Sequence, residues 1–183
     1  MKKIFLTFII LFTVSTFSQE LKKPSEGKAL VYFTRIGFMG GAINFKYFDG
    51  EKYLGKYNTG KYLAYECDPG KHLFWAKSEN FDFLEANLEA GKIYIVQSVV
   101  KMGAMKAGVD LVPLTKLDED YQKKKEKLIK LITNPSKEYK LEVGKELEVT
   151  ELKELNSKSV EKYNEKKQEV GKVLILSADM NIE

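Results

Sequence analysis

The chain has a single cysteine and a single histidine, Cys67 and His72, five positions apart across an Asp68-Pro69-Gly70 turn. A thiol with an imidazole beside it is the nucleophile pair of covalent hydrolysis, so this spacing is the first place to look for chemistry. Strand alternation, however, puts His72 on the face of Phe74 and Ala76 and away from Leu73 and Trp75, which fits a partly buried imidazole bonded to the turn. Cys67 closes an aromatic run and reads as a small buried hydrophobe. One histidine and one cysteine are too few donors for zinc, which usually takes about four ligands, or three with an open position. Asp118-Glu119-Asp120 offers carboxylates for calcium but lacks EF-hand spacing and its glycine, and reads as the acidic start of a helix. The expectation is no metal and no cofactor.

Arg35 is the only arginine among 30 basic residues and stands just before the glycine-rich stretch Gly37-Phe38-Met39-Gly40-Gly41. A guanidinium fork suits bidentate carboxylate or phosphate binding, while an ion pair to a neighbouring strand is its simpler use. The glycine stretch lacks the Gly-Lys-Ser/Thr ending of a phosphate cradle and leads into a strand, not a helix. It reads as a loop or bulge with an apolar tip, and such loops on a rigid scaffold are where partners bind. Arg35, Phe38 and Met39 are therefore the candidate ligand or partner contacts. Tyr47, Tyr53, Tyr57, Tyr62 and Tyr65 fall in consecutive strands, where outward members would form a platform for sugar or peptide and the rest would pack the core. A hydrolase would have to draw on dispersed carboxylates such as Glu66, Asp68, Glu79 and Asp82, two of them converging in a cleft with perturbed pKa values. No catalytic residue is assigned.

The elements that must position these residues are short apolar runs cut by Asp49-Gly50, Asn58-Thr59-Gly60, Asp68-Pro69-Gly70 and Ala90-Gly91 between Gly27 and Leu114. Such punctuation predicts an antiparallel β-sandwich of seven to eight strands over residues 27–115. The nearly continuous apolar run Lys28–Thr34 predicts a central strand buried on both faces. Asp49-Gly50 predicts a hairpin whose two central residues have positive φ. Asp68-Pro69-Gly70 predicts a second hairpin through a type II turn, and Ala90-Gly91 joins a further strand pair. Residues 116–183 form a charged helical extension, with 14 lysines against 13 acids from Lys116 to Glu169. Asn134-Pro135 should break its first helix, Ser136 can cap a new start, and Ser157 or Ser159 can cap a further one. Leu147–Thr150 could equally be extended, and Lys172–Ser177 reads as a last short strand.

Residues 1–19 read as a secretory signal peptide: Lys2 and Lys3, then the apolar run from Ile4, then small polar residues. The run to Phe17 is shorter than the roughly 20 apolar residues of a spanning helix, so no stable membrane span is expected after cleavage. No cysteine lies there to accept a lipid. Cleavage would remove two lysines and no acid, leaving 28 basic against 26 acidic residues. That balance, with lysines matched by acids along the extension, argues against nucleic acid as a partner. A lone cysteine allows no internal disulfide, so the core must be held by its 44% hydrophobic residues.

The order Gly27-Lys28-Ala29-Leu30-Val31-Tyr32-Phe33, Gly55-Lys56, Asp68-Pro69-Gly70-Lys71-His72-Leu73-Phe74-Trp75-Ala76-Lys77 and Glu89-Ala90-Gly91-Lys92-Ile93-Tyr94 resembles the DUF2846 family of bacterial envelope proteins, over about residues 27–118. The resemblance implies a small β-sandwich in exported proteins of uncharacterised function, with a basic residue at the end of the first strand, here Arg35. Many members look like lipoproteins, and this chain departs by lacking the lipidation cysteine. The combined expectation is an exported, periplasmic or secreted, non-enzymatic binding or structural module whose partner is an envelope protein or glycan. The alternatives are a carbohydrate or peptidoglycan-binding module, a hydrolase with a dispersed carboxylate site, and a carrier with an enclosed apolar cavity.

Overall fold

The computed structural model describes residues 21–37, 41, 43–102 and 107–182. The expected signal peptide, Phe38 and Met39 lie outside these residues. Nine strands are described: β1 (Ala29–Arg35), β2 (Phe45–Asp49), β3 (Lys52–Tyr57), β4 (Lys61–Cys67), β5 (Gly70–Lys77), β6 (Phe81–Leu88), β7 (Ile93–Met102), β8 (Ala107–Pro113) and β9 (Leu174–Leu176). They form two sheets, in the orders β4-β1-β7-β8 and β3-β2-β5-β6-β9. Two helices follow β8, α1 (Tyr121–Ile132) and α2 (Val149–Lys167).

The mainly β architecture agrees with the sequence reading, but the sheets are mixed where antiparallel ones were expected. β1 pairs in parallel with β7, and β6 in parallel with β9. The reason lies in the turns. Asn58-Thr59-Gly60, Asp68-Pro69 and Ala90-Gly91 do not fold strands back onto their predecessors; each passes the chain from one sheet to the other. The second expected hairpin is thus an arch, with β4 on β1 and β5 between β2 and β6. Hairpins occur at β2/β3, β5/β6 and β7/β8. In the first, Asp49 pairs with Lys52, so the loop is Gly50-Glu51 and not Asp49-Gly50, and Gly50 carries the positive φ of 53°.

Alternation assigns each strand face. Ala29, Val31 and Phe33 of β1 meet Tyr47, Phe74 and Leu84 of the other sheet in the core between the sheets. Leu30 and Tyr32 point the opposite way, where Leu128 and Ile132 of α1 cover them. All seven residues of β1 are buried, as the continuous apolar run predicts. On the far side of the molecule Phe48, Trp75 and Phe83 lie under Leu152, Leu155 and Tyr163 of α2. The layers run helix, sheet, sheet, helix.

Asn134 caps a 3-10 turn at Pro135–Lys137, its side chain accepting from the Ser136 N–H at 3.1 Å, after α1 ends. Neither Ser157 nor Ser159 starts a helix; both lie inside α2, and Ser159 Oγ donates back to the Asn156 carbonyl at 2.8 Å. The seam of Leu152, Leu155 and Tyr163 keeps α2 continuous, because breaking it would lift one of these side chains off the sheet. No helix among the described residues is long and apolar enough to cross a membrane.

Candidate functional site

Cys67 and His72 have separate roles. The Cys67 side chain belongs to the core between the sheets, and burial pushes its thiol up to about 12, so it is protonated at neutral pH. His72 closes the β4/β5 arch: Nδ1 lies 2.8 Å from Asp49 Oδ2 and Nε2 lies 2.9 Å from the Asp68 carbonyl. Tyr65 donates to the same Asp49 oxygen at 3.0 Å, and the imidazole stacks on Phe74. Both ring nitrogens face acceptor oxygens, which leaves no lone pair aimed at a substrate or a thiol. The turn-bonded histidine expected from strand alternation is what the fold contains.

Arg35 extends the inward face of β1 and is 1% exposed. Its guanidinium lies 3.6 Å from the centre of the Phe45 ring and donates to the carbonyls of Ile43 and, at 3.3 Å, Tyr57. These bonds tie Ile43, just before β2, to Tyr57 at the end of β3. That is a structural use, and burial lowers the pKa of the group. A ligand in solvent does not reach a side chain so covered.

The four candidate carboxylates fall in two places. Glu66 and Asp68 lie near Lys28, and Asp68 pairs with it at 2.7 Å. Glu79 and Asp82 line a cleft of about 600 Å³ with Asp110, Lys101 and Lys166. Asp82 is buried, which raises its pKa, yet both its oxygens are engaged: one with Lys166 of α2, the other accepting from the Leu111 N–H at 2.6 Å. Asn80, two residues earlier, accepts from the Val109 N–H at 2.7 Å and donates to the Val109 carbonyl at 2.9 Å. Together these side chains supply the ladder bonds that β8 lacks at the edge of its sheet, a polar cap on an edge strand.

The tyrosines divide by face as strand packing requires. Tyr47 and Tyr57 are buried and stacked at 4.5 Å, and Tyr57 Oη donates to the Phe33 carbonyl at 2.9 Å. Tyr62 is buried, edge-on to Tyr32. Tyr53 points outward and is half-buried, and here the fold adds residues that local sequence patterns do not link. The Tyr139 N–H donates to the Tyr62 carbonyl at 2.7 Å, which lays the segment after the 3-10 turn along the edge of β4. Its ring then covers Gly55, where a Cβ would collide with it; Gly55 has φ 146°, a conformation glycine tolerates.

The result is a cleft of about 740 Å³ lined by Tyr53, Tyr139, Lys56, Lys61, Lys140 and Lys145, with Glu138 and Glu142. Lys140 pairs with Glu138 at 3.3 Å and Lys145 with Glu142 at 2.6 Å. Lys56 and Lys61 make no salt bridge among the described residues, though Lys145, helped by the Lys61 charge, lowers the Glu142 pKa. Burial and the nearby Tyr139 and Glu151 raise the Tyr53 pKa, so its phenol remains a hydrogen-bond donor across the physiological range. The cleft thus presents two phenol rings, the ammonium groups of Lys56 and Lys61 and two carboxylates on one concave surface. Tyr53 was among the sequence candidates. Tyr139 and Lys140 were hidden because they sit in the charged extension, some 80 residues from β3.

No family model, curated protein or solved structure matches the chain. The resemblance to DUF2846 accordingly stands on its turn and core motifs alone.

Proposed function

We propose that this protein is an exported, non-enzymatic binding module of the bacterial cell envelope whose ligand seat is the cleft between Tyr53 and Tyr139, and that the ligand is an acidic carbohydrate of the peptidoglycan class. The observation that carries this reading is the convergence of two tyrosine rings with Lys56 and Lys61 at the junction of the sandwich and its extension. Charge and aromatic surface together favour a carboxylated sugar over a neutral one. The leader-like residues 1–19 and the DUF2846-like motifs support the envelope setting. Calorimetric titration with soluble peptidoglycan fragments should give saturable binding, weakened at least tenfold in Lys56→Ala/Lys61→Ala. Equal affinity of the two proteins, or heats that never saturate, would count against the cleft as the seat. A hydrolytic reading keeps one supporting feature, the shared cleft of Glu79, Asp82 and Asp110. Release of new reducing ends that disappears in Asp82→Asn would favour it.

A further inference from the structure

A second concave surface lies beside α1 and does not depend on the carbohydrate reading. It is a groove of about 480 Å³ with Ile36 and Leu131 as its floor and Lys127, Lys130 and Lys137 at its rim. Gly37 and Gly60 complete the wall, and a Cβ built on either meets nothing within 4 Å, so the backbone there is open to an occupant. The lysines are distributed unevenly in their bonding. Lys124 is held by Asp118 at 3.4 Å and Asp120 at 2.9 Å, and Lys125 donates to the Ile182 carbonyl at 2.7 Å. The three rim lysines have no carboxylate partner among the described residues. Lys127, Lys130 and Leu131 follow helical spacing, which sets cation and apolar surface side by side on one strip of α1.

An apolar floor within a cationic rim selects for a molecule that carries both an alkyl chain and a negative charge. A neutral alkane leaves the lysines unanswered, and a hydrophilic polyanion leaves Ile36 and Leu131 uncovered. We infer that the groove binds a single-chain carboxylated amphiphile, a fatty acid, with its chain along Ile36 and Leu131 and its carboxylate among Lys127, Lys130 and Lys137.

The test is calorimetric titration of the full chain with dodecanoate below its micellar concentration. Single-site binding is expected, at least tenfold weaker in Lys127→Glu/Lys130→Glu and retained in Lys127→Arg/Lys130→Arg. The same charge change at exposed positions elsewhere, Lys71→Glu/Lys153→Glu, should leave affinity within twofold, as should the Lys56→Ala/Lys61→Ala change of the carbohydrate cleft. Dodecyl maltoside, with the same chain and no charge, should bind at least tenfold more weakly. Near-ultraviolet circular dichroism of Trp75 reports that each variant is folded. Dodecanoate affinity indifferent to both glutamate pairs would assign the binding to another part of the chain and would overturn the proposal. Equal affinity for the neutral detergent, or an absence of saturation, would overturn it as well.

Discussion

Burial decides what individual side chains can do here. Cys67 is 7% exposed, and its thiol is pushed up to about 12 by loss of solvent, with Asp49 and Asp68 adding repulsion. At pH 8 the native protein should react with an aromatic disulfide reagent only at the rate at which the core opens, while the denatured chain should react fully within minutes. Immediate stoichiometric labelling of the native protein would show an accessible thiolate and revive the nucleophile reading. Arg35 illustrates the same rule. Its guanidinium satisfies two main-chain carbonyls away from water, and a buried acceptor left unsatisfied costs about 1–3 kcal/mol. The sequence singles Arg35 out as unusual; its inward direction at the end of β1 turns that prominence into a structural bond.

Polar tethers at the ends of elements hold the layers in place. α2 has a thin apolar seam and docks through Lys166 to Asp82, Lys167 and Tyr163 to Glu85, and Lys46 to Glu151. Asp82 is the most buried of these carboxylates, and its pKa is raised chiefly by that burial, against the opposing pull of Lys166 and the Leu111 N–H. For an acid with a raised folded-state pKa the native protein binds the proton more tightly than the unfolded chain. Its contribution to stability is therefore present at low pH and is lost as pH rises from the ordinary carboxylate range through the raised value. Urea midpoints compared at pH 4 and pH 7 should show wild type losing stability relative to Asp82→Asn as pH increases. A constant difference between the two would mean that Lys166 and the main chain fully offset the burial of the charge.

At the scale of the molecule the extension is a structural part of the fold. α1 covers Leu30, Tyr32, Ile93 and Ile95, and α2 covers Phe48, Trp75 and Phe83, so each sheet has apolar side chains on both faces. A chain ending at Lys116 would leave both outer faces in water and should aggregate or unfold. Trp75, the only tryptophan, is 1% exposed and stacked on Phe48 at 3.7 Å, and gives the readout. Its emission should be blue-shifted and resistant to acrylamide in the full chain, and red-shifted and readily quenched in the truncated one. A truncated chain with native emission would make the sandwich independent of its helices.

Alternation and punctuation, which are local, were enough for the sequence to determine most of the strands, the burial of β1 on both sides, the two faces of β5, the hairpin at Gly50, the helix break at Asn134-Pro135 and the histidine bonded to its turn. The destination of each turn was decided only in three dimensions. Whether Asp68-Pro69-Gly70 returns a strand to its neighbour or carries it to the opposite sheet depends on which partner buries the strand's second face, and turn residues do not encode that choice. The same dependence placed Arg35 inside, made α2 a single helix over Trp75, and brought Tyr139 from the extension onto Gly55 to build the cleft.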